Sequence, residues 1–320
     1  MSNKWKIFWV TSFVFVVFFQ ACGMHSWEEL LISTTDEKKM GREFDSLVWD
    51  KHKDVMSTGE ELFSPKNDAQ QELYDYYQAR GKEIVKQIQS KDFDALMTSE
   101  KLCRNNPGNR SEKVACTKDN FFEFKIINSK QINAFAVPGG YVYFYTQILS
   151  DSKNGFRTES ELSSVLAHEV GHIVLHHTRE RMVKTYGASA IIQIFLGDGI
   201  AGLLGTVGAN FWLLGNSREN EFAADSMGFY YTDKIGISSY GLSDFFDRGL
   251  EKDSDGNCKN GVVDYVGNVF STHPPSCDRV TENKNRIANA KSGQTLQSHP
   301  RDKNFVNGKS FKDLVNAAGI

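Results

Sequence analysis

The sequence predicts a single α+β domain that is rich in helix and contains a small antiparallel sheet. Apolar residues recur at three- and four-residue steps over residues 68–89, which indicates an amphipathic helix. Residues 121–127 and 134–145 are rich in aromatic and β-branched side chains, as strands are, and a Pro-Gly-Gly sequence interrupts the second run. Two more helical patterns follow over residues 159–185 and 217–231.

Composition argues against several other classes of protein. The 320 residues are 24% charged and 40% hydrophobic, which is ordinary for a globular protein and untypical of disordered, collagenous or coiled-coil chains. The formal net charge of −3 supplies no basic field for phosphates. We therefore expect no nucleic-acid partner.

Residues 1–22 have the pattern of a lipoprotein-type signal peptide. Lys4 and Lys6 precede an uncharged apolar run, residues 7–19. That run is shorter than the roughly 20 residues that a spanning helix needs. Cys22 follows directly and is the expected lipidation site, with a tether and a short helix in residues 23–66. Ordinary secretion and a short retained membrane anchor remain the alternatives.

The remaining cysteines fit an exported protein. Apart from Cys22 there are four, an even number, which can pair in an oxidising compartment. We favour Cys103 with Cys116 and Cys258 with Cys277, and unpaired thiols are the alternative. None has the C-x-x-C spacing of a structural zinc site.

The sequence His168-Glu169-Val170-Gly171-His172 lies inside the pattern for a long helix. At about 100° per residue, His168 and His172 lie one turn apart and about 40° from each other around the helix, so both can reach one metal ion. Glu169 is too oblique to be a natural ligand but can face a water molecule at the metal. That is the position of a general base.

A catalytic zinc site takes a third protein ligand, which must come from elsewhere in the chain. Leu175 and Thr178 stand where the metzincin extension needs Gly and His, so that class is excluded. Glu221, on the helix that follows, can supply a carboxylate. Asp225, one turn further, can orient a ligand histidine through its outer N–H, and the alanines at 223–224 would allow close helix packing.

Four motifs occur together in this chain. They are Asn133-Ala134-Phe135-Ala136 before Pro138-Gly139-Gly140, His168-Glu-x-Gly-His172, Glu221-x-x-x-Asp225, and Thr272-His273-Pro274-Pro275 with Arg279. Over residues 32–287 the chain thereby resembles the HtpX/Ste-type gluzincin metallopeptidases, which have a zincin-like fold. It looks most like their periplasmic lipoprotein members, and it lacks the tetratricopeptide tail of some relatives.

The resemblance implies a role for each motif. One Zn²⁺ would be bound by His168, His172 and Glu221, with Glu169 as the catalytic base. The Asn133–Ala136 segment would belong to an edge strand that binds substrate, because an unpaired edge offers backbone hydrogen bonds to an extended chain.

More than one role is open to the residues of the last motif and to the two histidines that follow the His168–His172 motif. His273 can be a fourth, regulatory ligand and Arg279 a partner of the substrate carbonyl, although a loop with a solvated Arg is also common. We expect His176 and His177 either to contact a metal ligand from outside the metal site or to lie at the surface.

The predicted organisation is a metallopeptidase domain over residues 67–292 and a polar C-terminal tail over 293–320. Within the domain, the apolar segment 187–215 carries a single charge, Asp198, and is too short for a membrane hairpin. We interpret it as two short helices that cover the active site or rest on the membrane surface, and packing in the core is the alternative.

The predicted function is that of a membrane-anchored zinc endopeptidase of the bacterial cell envelope. Lipid on Cys22 would hold it, on the periplasmic face of the outer membrane. Unfolded or misassembled envelope proteins are the substrate class that the resemblance implies, in quality control. The alternatives are a chaperone-like or binding lipoprotein with a latent zinc site, and a protease that cleaves within the bilayer.

Overall fold

The computed structural model describes residues 28, 31–46, 61–89, 91, 105–106, 109–113, 121–150, 153–196, 215–262, 273–289 and 309–320. The predicted signal peptide with Cys22 and the predicted Cys103–Cys116 pair lie outside these residues, as do residues 197–214 of the apolar segment.

The fold is helix-rich with small sheets, which confirms the predicted α+β class. The helices are α1 (Thr34–Ser46), α2 (Asp68–Val85), α3 (Thr146–Ser150), α4 (Glu159–Val174), α5 (His177–Leu196), α6 (Arg218–Lys234), α7 (Gly241–Arg248), α8 (Cys277–Asn289) and α9 (Phe311–Ala318). The strands are β1 (Glu61–Leu62), β2 (Asn105–Asn106), β3 (Asn109–Lys113), β4 (Glu123–Asn128), β5 (Ala134–Val137), β6 (Tyr141–Tyr145), β7 (Leu250–Lys252) and β8 (Cys258–Val262).

The largest sheet has the order β1-β4-β6-β5 and is mixed: it adds one parallel pair to the antiparallel pairing that the sequence predicts. The run 134–145 forms a hairpin in which β5 pairs antiparallel with β6, whereas β4 pairs parallel with β6. The hairpin turns at Gly139 and Gly140, whose φ angles of 78° and 89° are ones that residues with a side chain rarely adopt. After this turn β6 lies between β4 and β5 and runs in the direction of β4.

All five residues of β6 are buried. Since successive side chains of a strand point to opposite sides of the sheet, both faces of β6 are covered. Val142 and Phe144 join the core formed with α2 and α4. The three tyrosines of β6 join a second core, which contains Phe44 of α1 and Met182 of α5. The sheet is therefore covered by helices on both sides.

The long helix predicted over residues 159–185 is two helices in the structure. The first, α4, begins at the N-cap Thr158, whose hydroxyl accepts from the backbone N–H of Glu161 (3.2 Å), and all its residues are buried. It ends at Val174. His176 then adopts a φ of 56°, which redirects the chain before α5 begins. A second change of direction occurs within α5 at Gly187, at a φ of 71°.

The C-terminal half closes around these elements. Cys258 at the start of β8 and Cys277 at the start of α8 form a disulfide bond. The last helix, α9, packs on α2, where Gln70 donates a side-chain hydrogen bond to the carbonyl of Ala318 (3.1 Å). No helix in the described part of the chain has the length and apolar character that spanning a membrane requires.

Candidate metal centre

Two helices that pack closely bring the predicted ligands together. Glycines mark the contact between α4 and α6: a Cβ on Gly171 would lie 3.0 Å from Cβ of Met227, and one on Gly228 would lie 3.4 Å from the backbone N of His168. Ala224 is fully buried in the same interface. The helix of Glu221 begins at the N-cap Ser217, whose hydroxyl accepts from the N–H of Asn220.

The nitrogen and oxygen donors of His168, His172, Glu221 and His273 all lie within 4.8 Å of one another. Nε2 of His168 is 3.0 Å from Nε2 of His172, and the Glu221 carboxylate is 3.3 Å from Nε2 of His172. All four side chains are buried. Histidine nitrogens with one carboxylate are a usual donor set for divalent transition-metal ions, so the chemistry of this group fits a metal site.

Glu169 lies beside this group of donors. Its carboxylate is buried, and Oε1 is 3.1 Å from Nε2 of His273. Oε2 is buried and hydrogen-bonds to no group among the residues that the structure describes. A buried carboxylate oxygen without such a partner, next to a cluster of metal donors, is suited to hold a water molecule or take its proton.

Arg279 and Asp225 contact two of the donor residues, Glu221 and His168, from outside the donor group. Nε and Nη2 of Arg279 donate to the Asp225 carboxylate at 2.8 and 2.6 Å, and Nη1 lies 2.9 Å from Oε2 of Glu221. Asp225 in turn lies 2.9 Å from Nδ1 of His168. Sequence reasoning predicts a substrate contact for Arg279, but its fully buried guanidinium faces these two carboxylates and the Pro274 carbonyl (2.8 Å).

Electrostatics keep the carboxylates of the site ionised. Burial alone would raise the pKa of Glu221, but His273 and Arg279 hold it well below the usual range. The pKa of Asp225 is likewise lowered against the effect of burial, chiefly by Arg279. Burial opposes the protonation of His273, yet the carboxylates of Glu169 and Glu221 raise its pKa to about 10. This negative field would equally attract a cation.

The structure places His177 beside the predicted ligand His172, which is one of the two roles that the sequence leaves open for it. Its Nδ1 lies 2.7 Å from Nδ1 of His172, and the residue is buried. Burial, followed by the neighbouring His172, lowers the pKa of His177 to about 2. Helix periodicity does not predict this contact, because two residues that are five apart in a continuous helix lie about 140° from each other around its axis.

Residues 109–287, more than half of the chain, match Peptidase family M48. The chain belongs to this family. The match confirms the predicted resemblance and covers every residue of the donor group.

Curated relatives with similar sequences include the beta-barrel assembly-enhancing protease of Yersinia pestis, 29% identical over 64% of this chain and 42% of that protein. Metalloprotease YcaL of Escherichia coli is 29% identical over 52% of this chain and 63% of its own length. Metalloprotease LoiP of the same organism is 26% identical over 52% and 62%. The chain thus spans less than two thirds of the length of each of these relatives.

The predicted substrate strand of this M48 chain lies at a sheet edge. Ala134, Phe135 and Ala136 lie in β5, which packs against α4, and no other described strand pairs with its outer edge. Asn133 precedes the strand: its backbone carbonyl accepts from the N–H of Tyr145 (3.0 Å), and its side-chain amide oxygen accepts from the N–H of Ala134 (2.9 Å). The segment therefore lies beside the helix that carries two of the donors.

Proposed function

We propose that the protein is a zinc-dependent metalloendopeptidase of the cell envelope. The observation that carries this proposal is the buried group of His168, His172, Glu221 and His273 with Glu169 at its side. We assign the three ligands to His168, His172 and Glu221, and a fourth, regulatory position to His273. Two histidines and one glutamate are a usual ligand set of catalytic zinc, and membership of a peptidase family agrees with it.

The residues present can carry out peptide hydrolysis. Zinc, when bound, would supply Lewis-acid polarisation of the peptide carbonyl and acidify a water molecule. Glu169 would accept a proton from the attacking water as the new carbon–oxygen bond forms. It would then pass this proton to the amine nitrogen as the carbon–nitrogen bond breaks, so that one water molecule is consumed for each bond cleaved. His273, within 3.1 Å of Glu169, can orient the carboxylate.

Substrate would bind as an extra strand along β5. Backbone hydrogen bonds from Asn133–Ala136 to an extended peptide are largely independent of its sequence, which suits an enzyme that acts on many chains. An extended segment is available only where the substrate is unfolded or unpaired. We therefore propose unfolded or misassembled envelope proteins as substrates, and the name of the Yersinia pestis relative, which refers to β-barrel assembly, agrees with this class.

We further propose that residues 1–22 are an export signal and that Cys22 carries lipid, with the protein held on the periplasmic face of the outer membrane. Residues 67–292 would be the peptidase unit. Labelling with radioactive fatty acid, in the wild type and in Cys22→Ala, tests the lipid. We expect the wild type to carry the label, to stay in the membrane when it is washed with carbonate, and to be released by detergent. Loss of label in the variant supports the lipid, whereas an unlabelled wild type contradicts it.

Metal analysis of the purified full chain tests the site. We expect one zinc per chain, loss of casein cleavage on chelation and recovery on adding zinc back. A chain that binds no zinc would overturn the metal assignment. One that cleaves casein equally well without metal would overturn the mechanism.

Glu169→Gln separates an enzyme from a chaperone-like lipoprotein with a latent zinc site. The amide keeps the size of the side chain but cannot take a proton, so cleavage should fall by about 10²–10⁴-fold while zinc stays bound. Envelope phenotypes that require cleavage should fail with it. Full biological activity of this variant would instead favour the chaperone function.

A further inference from the structure

The ring of His172 is held from both of its nitrogens. Nε2 faces the donor group, 3.0 Å from Nε2 of His168 and 3.3 Å from Oε1 of Glu221. Nδ1 faces the other way and lies 2.7 Å from Nδ1 of His177. The two rings are inclined at 71° with centroids 4.9 Å apart, so the contact runs through the ring nitrogens and is not a stack.

The chemistry of metal binding fixes the protons of this pair. A histidine that binds a metal through Nε2 as a neutral imidazole carries its proton on Nδ1. That N–H needs an acceptor, because an unpaired buried donor is costly. At 2.7 Å the acceptor is Nδ1 of His177, which must then be neutral and carry its own proton on Nε2.

The two ligand histidines have different outer partners. Nδ1 of His168 faces the carboxylate of Asp225, at 2.9 Å, whereas Nδ1 of His172 faces an imidazole. An imidazole can orient a ligand without adding a further negative charge to the buried site. The carboxylates of Glu169, Glu221 and Asp225 already lie there, so a neutral partner for His172 avoids additional repulsion among negative charges.

The chain break after α4 makes the contact possible. Because His176 has a φ of 56°, the chain turns back and presents His177 to His172. The turn is braced by α1: Nδ1 of His176 lies 2.6 Å from the Glu37 carboxylate, and Nη1 of Arg179 lies 3.6 Å from the same oxygen. The break is thus held in place by a buried ionic group.

We propose that His177 is a positioning residue for the metal centre, whose Nδ1 accepts the Nδ1–H of His172 and fixes the tautomer and ring orientation that present Nε2 to the metal ion. This inference rests on the proposed zinc site. It predicts that His177 acts on zinc affinity through one hydrogen bond, and not through its size or charge.

Two variants of nearly equal shape separate these effects. In His177→Asn, the amide oxygen occupies about the position of Nδ1 and can accept the hydrogen bond. In His177→Leu, a methyl group takes that place and cannot. Zinc affinity of the full chain is measured by competition with a chromophoric chelator, and circular dichroism with thermal unfolding checks that each variant folds.

We expect the Leu variant to bind zinc about 10–100-fold more weakly, as loss of the outer partner of a metal-bound histidine usually does. The Asn variant should stay close to the wild type. Equal affinities for all three proteins, or equal losses in both variants, would overturn the proposal, because the hydrogen bond would then not be the cause.

A second measurement needs no variant. Nuclear magnetic resonance of the zinc-loaded full chain, labelled with ¹⁵N in histidine, reports which nitrogen of each ring carries the proton. We expect the proton on Nδ1 of His172 and on Nε2 of His177, and a proton on Nδ1 of His177 would overturn the proposal. A chain that binds zinc but cleaves no peptide would refute the proposed enzyme and leave this test intact.

Discussion

The contact between α4 and α6 can be tested with two glycines that differ in the space around them. A Cβ on Gly171 would lie 3.0 Å from Cβ of Met227 and 3.3 Å from the carbonyl oxygen of Ala224. A Cβ on Gly228 would come no closer than 3.4 Å to any heavy atom, which is ordinary van der Waals contact. We therefore expect Gly171→Ala and Gly228→Ala to have opposite effects on stability.

The magnitudes follow from two opposing terms. Alanine in place of glycine within a helix contributes about 1 kcal/mol of stability. The alanine at 171 would be about 0.5 Å short of a favourable carbon–carbon separation from Met227. Such overpacking costs roughly 1–3 kcal/mol. Gly228→Ala should therefore raise the free energy of unfolding by up to about 1 kcal/mol, and Gly171→Ala should lower it by up to about 2 kcal/mol.

We expect zinc affinity to follow the same order, with weaker binding by Gly171→Ala than by Gly228→Ala. The strain at 171 is relieved by moving α6 away from α4, which carries Glu221 away from the two ligand histidines. Thermal unfolding of the wild type and both variants, without zinc and with a fixed excess, measures the two effects together. Each tenfold loss of affinity removes about 1.4 kcal/mol of the stabilisation that excess zinc provides.

Equal unfolding temperatures of the two variants without zinc would refute the reasoning, and so would a lower value for Gly228→Ala than for Gly171→Ala. A gap of about 1–3 kcal/mol corresponds to several degrees in a domain of this size, since each kcal/mol shifts the midpoint by roughly 2–4 °C. The difference is well within the reach of calorimetry.

Three further substitutions probe other supports of the fold and the site. Asp225→Asn removes the charge beside its histidine partner and should weaken zinc binding about 10–100-fold in chelator competition; unchanged affinity would contradict the role of the carboxylate. Replacing Cys258 and Cys277 by serine should cost about 2–4 kcal/mol in thermal unfolding, and reductant should destabilise the wild type more than this variant. Glu37→Gln should cost roughly 1–3 kcal/mol in denaturant unfolding. Glu43→Gln, a control in a more exposed pair on the same helix, should change little; equal losses would argue against the buried ionic group.

Local patterns predict most of the elements and three of the donors at the centre. The amphipathic pattern over residues 68–89 corresponds to α2, and the pattern over 217–231 corresponds to α6. The pairing of His168 with His172 follows from helix geometry alone, because they are one turn apart. Glu221, the third donor, is distant in sequence from the two histidines. It is predicted because the Glu221-x-x-x-Asp225 motif follows the His168–His172 motif along the chain, as it does in the family that the sequence resembles.

Features that depend on tertiary contacts are not visible in the sequence. A glycine-free stretch at 174–178 gives no sign that His176 adopts a left-handed conformation, which its contact with Glu37 of α1 supports. The parallel pairing of β4 with β6 depends on which strand of the hairpin lies next to β4, and contacts between strands decide this, not the sequence of any one strand. Arg279 is buried against two carboxylates because of the way α8 packs. Its neighbours in the sequence give no sign of this, since they resemble those of a solvated arginine.

The spacing of Glu221 and Asp225 makes one helix contact govern two parts of the metal centre. One turn of α6 separates a carboxylate that lies among the donors from one that faces the outer nitrogen of His168. A small shift of α6 along α4 would therefore disturb a ligand and the support of another ligand at once. Arg279 contacts both carboxylates and ties their positions together. His172 lies outside this unit, since its outer nitrogen meets His177 on α5. The two histidines of one motif are thus oriented by separate elements, His168 by Asp225 of α6 and His172 by His177 of α5.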